Sequence, residues 1–421
     1  MNGAPAAQNA PMRKEQPPAQ ANRLRTFAEF LVVVVCTLSL IFTVLGIGAG
    51  VLGTAAPGTR DFVEYWASGQ QLTHHANPYD GSALLPMERA VGFPSGIPPM
   101  VMGNAPPALL LVYPLGFLQA RTGEILWSLL LLACLIVSVR MIRAIHGAPN
   151  NKLHYLAYGF GPALVCLAAN QAAMFVLLGL ALFLRFHRSR PFLAGAALWF
   201  CALKPQLFLP FGLVLLAWIV TARRYRLLAG AVSALLFSIG VAYVLDPSAW
   251  AQYHRMMSAS RYDKLSIPCL SIVLRQSISP NTMWLQYVPA AIGCIWALAY
   301  FWKHRRAWDW LEHGSLLMLV SVLVAPYTWI VDQAVLMPAL LHGVYVTRSR
   351  SLLAILAITS AVLEIAPLRG KALMQSAFYL WTVPTWLVWY LLATRSARRE
   401  SAGAPPVTVE GVTAVIEAAG S

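Results

Sequence analysis

Residues 27–52 read FAEFLVVVVCTLSLIFTVLGIGAGVL and carry a single acidic side chain. A helix rises about 1.5 Å per residue, so about 20 apolar residues cross the hydrocarbon core of a bilayer. The run is longer than the core of a signal peptide, and no small-residue cleavage site with a polar continuation follows it. We therefore interpret it as a retained first transmembrane helix.

Similar apolar runs recur along the whole chain. The composition is 58% hydrophobic and 11% charged, with a mean hydropathy of +0.61, and the runs are about 15 to 25 residues long. These values predict an all-α polytopic membrane protein with about 12 transmembrane helices. The eleven spans after the first are expected at 123–140, 153–169, 171–185, 191–203, 206–221, 227–245, 282–302, 311–324, 329–346, 351–366 and 376–393.

The apolar segment Ala105–Leu118 is ambiguous, because it is short and contains three prolines. The distribution of basic residues favours a segment that does not span. In that case one face of the membrane receives 21 of the 31 Lys and Arg residues, and the positive-inside rule places both termini in the cytoplasm. Residues 53–122 and 246–281 then form two large external loops. We expect a multi-pass protein of a bacterial-type plasma (inner) membrane.

The net charge of +15 does not indicate nucleic-acid binding, because the basic residues fall in short clusters between apolar runs. Residues 1–26 and 395–421 are rich in small and polar residues, so we expect disordered cytoplasmic tails around a transmembrane domain at 27–394. The lipid bilayer is therefore the first predicted partner.

The predicted external loop after the first helix contains Asp61-Phe62-Val63-Glu64-Tyr65-Trp66, in a chain with only 16 acidic residues. A helix that starts near Arg60 places Asp61, Glu64 and Tyr65 on one face, because these residues are three and four positions apart. Two carboxylates and a phenol on one face predict a site. The alternative is a solvated helix start with acidic residues in its first turn.

Further polar residues lie at the predicted external ends of later spans, at Asn170-Gln171, at Lys204-Pro205-Gln206 and between Tyr327 and Asp332. An ionisable group at membrane depth costs roughly 2.5–3.5 kcal/mol, so Lys204 and Asp332 need partners or a function. Lys204 either snorkels to the lipid headgroups or lines a cavity beside the helix break at Pro205. Asp332 is either a helix cap, a structural partner of Lys204 or part of a site.

Two motifs in this loop resemble a known family. Asp61-Phe-x-x-Tyr65-x-Ala67, followed by Asn77-Pro78-Tyr79-Asp80, is similar to the first external loop of glycosyltransferase family 87, which belongs to the GT-C superfamily and includes polyprenol-phosphate-mannose-dependent mannosyltransferases. The turns at 170–171 and 204–206 and the segment 325–338 extend the resemblance over most of residues 27–346. The chain departs from the family pattern at two places. Family members often have serine at the position of Ala325, and a glycine commonly precedes the glutamine where this chain has Ala169-Asn170-Gln171.

The resemblance implies a GT-C fold and an inverting transfer of a sugar, such as the hexose mannose, from a polyprenyl phosphate to a lipid or glycan acceptor. An external site has no access to cytosolic nucleotide sugars, which also favours a lipid-linked donor. The chain lacks an Asp-x-Asp motif, so we expect neither a cofactor nor an obligatory metal.

Asp61 is the expected catalytic base, with Glu64 as the alternative, and Lys204 is the first choice for the donor phosphate, with Arg255, Arg261 and Lys264 as further candidates. The expected substrate-binding residues are Glu64, Tyr65, Tyr79, Asp80, Asn170, Gln171, Lys204, Gln206, Tyr327 and Asp332.

The rival class is a polytopic transporter or lipid flippase, which also has many spans and broken helices. The two halves of the chain show no convincing repeat, and the loop at 246–281 has no counterpart of the paired acids at 61 and 64. This asymmetry favours an enzyme. A third possibility is an inactive member of the same fold that serves as a scaffold, against which the intact Asp61 argues.

Overall fold

The computed structural model describes residues 19–52, 57–259, 267–365 and 379–403, which form helices and turns and no strand. Of the tails predicted at 1–26 and 395–421, residues 1–18 and 404–421 lie outside the described residues, as do the candidates Arg261 and Lys264. Residues 19–26 and 395–403 were predicted to be disordered, but they continue the first and last helices. The α-helices are, in chain order, α1 (Ala19–Leu52), α2 (Phe62–Thr73), α3 (Gly81–Ala90), α4 (Leu109–Val112), α5 (Ala120–Ile145), α6 (Gly161–Ala169), α7 (Ala173–Phe186), α8 (Pro191–Ala197), α9 (Leu209–Thr221), α10 (Tyr225–Leu245), α11 (Ala249–Ala259), α12 (Leu270–Ile278), α13 (Val288–His304), α14 (His313–Leu323), α15 (Met337–Val346), α16 (Arg350–Ile365) and α17 (Thr382–Gly403).

Short 3-10 helices join several of these elements. They are Pro57–Thr59, Pro106–Ala108, Tyr113–Phe117, Leu153–Ala157, Phe200–Leu203, Pro205–Phe208, Met283–Tyr287, Arg305–Ala307 and Ile330–Leu336. Four of these nine contain proline, which lacks a backbone N–H and cannot continue the hydrogen bonds of a regular helix.

Four helices in the described part of the chain are long and apolar enough to cross a membrane: Phe30–Gly48, Ala120–Ile145, Tyr225–Leu245 and Met283–Ala307. Each coincides with a span predicted from the sequence. A fifth is reached if the pair Pro191–Leu203 and Pro205–Thr221, which is bent by 119°, is taken as one span. The all-helical membrane class is thus established, and the count of about 12 spans stays a prediction.

The remaining apolar helices are shorter, and Pro106–Phe117 shows why. This segment consists of three helical pieces in succession, because Pro106, Pro107 and Pro114 interrupt it. A run of 12 residues reaches about 18 Å, well below the roughly 30 Å of a hydrocarbon core. The ambiguous segment is therefore no long membrane helix.

The core lies around α7, where ten of the fourteen residues are buried. A helix that is apolar on all sides is enclosed by its neighbours. By contrast, α1 exposes large apolar side chains such as Phe30, Phe42 and Leu45, which suits contact with lipid. Gly195 on α8 and Gly230 on α10 allow their helices to touch, because a Cβ at either position would overlap the backbone of the other helix.

Candidate functional site

The polar residues singled out in the sequence meet where several helices end. Asp61 immediately precedes α2, Gln171 lies in the turn between α6 and α7, Lys204 lies at the 119° bend, and Asp332 lies in the 3-10 helix Ile330–Leu336. Side-chain hydrogen bonds join these four residues and Tyr65 in one network, called the polar cluster below. The structure thus brings together five of the eleven predicted site residues.

Contacts at the start of α2 hold Asp61 in place. The backbone N–H of Asp61 donates to the carbonyl oxygen of Ala169 over 3.1 Å. The preceding Arg60 pairs with Glu124 on α5 at 3.2 Å and donates to the carbonyl of Ile47 on α1 at 3.4 Å. Since Glu124 is only 2% exposed, this ion pair is buried and fixes the start of α2 against two long helices.

The turn between α6 and α7 depends on Asn170. Its backbone is left-handed (φ 58°, ψ 37°), a conformation that asparagine adopts more readily than most residues and that ends α6. The indole of Trp127 donates to the carbonyl of Asn170 over 2.9 Å, and the hydroxyl of Ser128 donates to its Oδ1 over 3.0 Å. Asn170 therefore shapes the turn that presents Gln171 to Asp61.

Gln171 is the centre of the polar cluster. Its Nε2 donates to Oδ2 of Asp61 over 2.7 Å. Its Oε1 accepts two hydrogen bonds of 3.1 Å, one from the hydroxyl of Tyr65 and one from Nζ of Lys204. The ring of Tyr65 is buried and stacks on Trp127 with 5.0 Å between centroids, so Tyr65 contributes its hydroxyl and not a ring face.

Lys204 and Asp332 form a buried ion pair. Nζ of Lys204 is 2.5 Å from Oδ1 of Asp332, and the two side chains are 13% and 1% exposed. The other oxygen of Asp332 accepts the backbone N–H of Trp329 over 2.9 Å, which caps the 3-10 helix. Of the interpretations considered for Asp332, the structure bears out two, the helix cap and the partner of Lys204. The bend at Lys204 follows from Pro205, which cannot continue the helical hydrogen bonds.

Glu64 lies next to the cluster on α2, in surroundings that favour its protonated form. Burial and, second, the charge of Asp61 raise the pKa of Glu64 from 4.5 to about 8, although Tyr65 and Lys204 act in the opposite direction. Glu64 is therefore mostly protonated at neutral pH. Burial and the charge of Glu64 also raise the pKa of Tyr65 well above its ordinary value, so Tyr65 keeps its proton.

The second motif, Asn77 to Asp80, builds local structure. Oδ1 of Asp80 accepts the backbone N–H of Ser82 over 2.9 Å and its hydroxyl over 2.6 Å, which makes Asp80 the N-cap of α3. These bonds hold the pKa of Asp80 below its ordinary value. Tyr79 is buried and donates its hydroxyl to the carbonyl of Asn104 over 3.0 Å. Neither side chain joins the polar cluster through a described contact.

Two further predicted site residues lie outside the polar cluster. Gln206 is half-buried in the 3-10 helix Pro205–Phe208, and its side chain makes no hydrogen bond with another described residue. Tyr327 is half-buried and packs, together with Trp329, against a small apolar group that contains Ile267 and Ile272.

Sequence reasoning missed two acidic residues near the site. Glu124 pairs with Arg60, as described above, and Glu88 on α3 is fully buried. Oε2 of Glu88 accepts the backbone N–H of Met100 over 3.2 Å, and burial raises the pKa of this carboxyl to about 7. The sequence signal that could have found them is the scarcity of acidic residues. A carboxyl in such an apolar chain is rarely buried unless it has a partner or a function. No three His, Cys, Asp or Glu side chains converge as metal ligands within the described ranges.

Comparison with known proteins places this helical membrane protein among the enzymes that transfer sugars. A family model for glycosyltransferase family 87 matches residues 104–326, which is more than half of the 421 residues. The chain therefore belongs to glycosyltransferase family 87 and is a membrane glycosyltransferase. Gln171 and Lys204 lie within the matched range, whereas Asp61, Tyr65 and Asp332 lie outside it. Comparisons with curated proteins and with solved structures give no match.

Proposed function

We propose that the protein is an inverting glycosyltransferase that uses a polyprenyl-phosphate-linked sugar, a hexose such as mannose, and transfers it to a hydroxyl of a lipid or glycan acceptor at the external membrane face. The proposal includes about twelve spans with both termini in the cytoplasm. The observation that carries it is the polar cluster, in which a carboxylate suited to act as a base lies one amide away from a buried ammonium.

Asp61 is the base in this proposal. It takes the proton of the acceptor hydroxyl while that oxygen forms a bond to the anomeric carbon, and the bond from that carbon to the phosphate oxygen breaks on the opposite side. Polyprenyl phosphate leaves with the bonding electrons, and the anomeric configuration inverts. Because Glu64 has a pKa of about 8, it holds its proton at neutral pH, which favours Asp61 over Glu64.

Lys204 is the proposed contact for the leaving phosphate. An ammonium group has three N–H donors, and Lys204 uses two of them, for Asp332 and Gln171. The third makes no hydrogen bond with another described residue and is available to a phosphate oxygen. Since Asp332 offsets the charge of Lys204, a second cation is needed, and Arg255 on α11 is the described candidate.

Family membership supports the enzyme over the transporter or flippase, and a transfer assay separates them. Purified protein, with chelator present, is given synthetic polyprenyl-phosphate donors carrying labelled mannose or arabinose, together with a membrane lipid extract. We expect transfer of the label and a loss of at least about 100-fold in Asp61→Asn, the lower end of the effect of a general base.

The matched control is Asp309→Asn. Asp309 lies shortly before α14, accepts the backbone N–H of Leu311 over 2.8 Å, and has no described contact with the polar cluster. It should keep its activity. A folded, active Asp61→Asn protein would shift the assignment to Glu64. Absence of transfer with every donor, together with movement of donor lipid across liposomes, would favour the flippase.

A further inference from the structure

One glutamine amide connects the proposed base to the proposed phosphate contact. The direction of the amide of Gln171 is set by its partners, because the carboxylate of Asp61 accepts and the ammonium of Lys204 donates. A flipped amide would place an oxygen against the carboxylate and N–H groups against the ammonium. Gln171 therefore has one stable orientation.

The backbone that carries Gln171 is also held firmly. The N–H of Gln171 donates to the carbonyl of Cys166 over 3.1 Å, and the preceding Asn170 is fixed by Trp127 and Ser128. The same Trp127 packs on the ring of Tyr65, whose hydroxyl donates to the amide. A side chain fixed from both ends can orient its neighbours, since few rotamers remain open to it.

We propose that Gln171 is a positioning residue that orients the carboxylate of Asp61 and couples it to the Lys204–Asp332 pair. This inference rests on the proposed function of Asp61 as the base. Gln171 acts through Asp61 and Lys204, so it differs from the substrate-binding role that the resemblance implies for it. It needs no contact with the reacting atoms.

The hydrogen bond from Gln171 to Asp61 affects the pH dependence of the reaction, which a purely structural role of Gln171 would leave unchanged. A hydrogen bond from Nε2 stabilises the ionised form of Asp61, so its removal raises the pKa of Asp61. The loss of one hydrogen bond to a charged group should therefore shift the pKa of Asp61 by about one pH unit. The charged or titratable groups around Asp61 are Arg60, Glu64 and Tyr65 at the start of α2, Cys166 on α6, Lys204 at the bend and Asp332 in the 3-10 helix.

The test is the pH dependence of kcat/KM in Gln171→Met and Gln171→Glu, with folding checked by thermal unfolding. The acidic limb of this pH profile is the range in which activity rises as Asp61 loses its proton. In Gln171→Met we expect this limb to move up by about one pH unit. Activity at neutral pH should fall by about tenfold or more, because Asp61 is no longer held in position. Gln171→Glu should move the limb further, because a second carboxylate faces Asp61 while the contact with Lys204 is kept.

The matched control is Gln333→Met. Gln333 is also a buried glutamine with two side-chain bonds, to Thr382 over 2.7 Å and from Trp386 over 2.9 Å, and neither joins the polar cluster. This variant should lose stability while its acidic limb stays in place. If Gln171→Met does not fold, Gln171→Asn carries the test, since its amide is one methylene too short to reach both Asp61 and Lys204.

The outcomes distinguish this inference from the proposed function. An active parent protein whose acidic limb is unmoved in the folded Gln171 variants overturns the positioning role alone. A parent protein without transfer at any pH and with any donor overturns the proposed function, and the positioning role falls with it. A limb that moves in the Gln171 variants but not in Gln333→Met supports both.

Discussion

Asp61 and Asp80 stand in two similar motifs of the predicted first external loop, each with aromatic residues nearby, yet their surroundings differ. The partners of Asp61 are distant in sequence, because Gln171 lies 110 positions away. The main partner of Asp80 is Ser82, two positions away. The cluster around Asp61 thus joins four segments of the chain, whereas Asp80 starts one helix.

The difference shows that the task of an acidic residue depends on what the fold brings to it. An N-cap is completed by its own neighbours, so it forms wherever the helix forms. A functional site needs side chains from several helices and turns. Each side chain must have the required orientation and protonation state.

The largest effect is expected from the ion pair that closes the cluster. Lys204→Met leaves Asp332 buried and unpaired, so we expect the free energy of unfolding to fall by about 3–5 kcal/mol. The double variant Lys204→Met/Asp332→Leu should recover much of this loss, because no buried charge then lacks a partner. The measurement is the unfolding midpoint in detergent.

The control for this prediction is Arg188→Met. Arg188 pairs with Asp309 at 2.7 Å, but the two side chains are 68% and 39% exposed. Exposed pairs contribute about 0.2–1 kcal/mol, so this variant should unfold close to the parent protein. Equal destabilisation by Lys204→Met and Arg188→Met would show that the buried pair is not a strong contact.

The second prediction uses the protonation of Glu64. Its pKa is about 8 in the fold and near 4.5 ordinarily, so the folded state holds a proton that the unfolded state releases between these values. This contribution to stability is therefore complete below about pH 4.5 and is lost as the pH rises towards 8. Glu64→Gln keeps the neutral form at every pH. It should match the parent protein near pH 5 and unfold at a higher temperature near pH 8.

The matched measurement is Asp80→Asn. The pKa of Asp80 is lowered, so its contribution is present above the ordinary value and is lost as the pH falls, which is the opposite sign. Glu88, with a pKa of about 7, has the same sign as Glu64 and remains in both variants. Thermal unfolding between pH 5 and 9 compares the three proteins, and Asp80→Asn should keep the pH slope of the parent protein there, because Asp80 titrates below this range. A Glu64→Gln protein that keeps the pH slope of the parent would contradict the buried, neutral Glu64.

The sequence predicted the class of the fold and much of the cluster for physical reasons. The length and hydropathy of runs such as Phe30–Gly48 are enough to predict membrane helices. Asp61, Gln171, Lys204 and Asp332 were found because charged and amide groups at the ends of apolar helices need partners. Tyr65 was found because a helix that starts near Arg60 places it on one face with Asp61 and Glu64.

Other roles depend on contacts that periodicity does not show. Asn170 shapes a turn because its backbone is left-handed, and the buried partner of Arg60 is Glu124, 64 positions later. The division of apolar runs into short helices was also not predicted. A run interrupted by proline has the same hydropathy whether it spans the membrane or folds back. Such features are fixed by packing between distant elements.

The smallest effect separates the two motifs most directly. Asp80→Ala removes the N-cap of α3 and should lower the free energy of unfolding by about 1 kcal/mol, whereas Asp80→Asn should cost little because asparagine caps equally well. Sugar transfer by the folded protein should persist in both, because the described bonds of Asp80 lie within its own turn. If Asp80→Ala instead abolishes transfer without a change in unfolding, Asp80 belongs to the site. Both aspartates would then serve the same chemistry, and the number of local contacts would not tell a helix cap from a functional carboxylate.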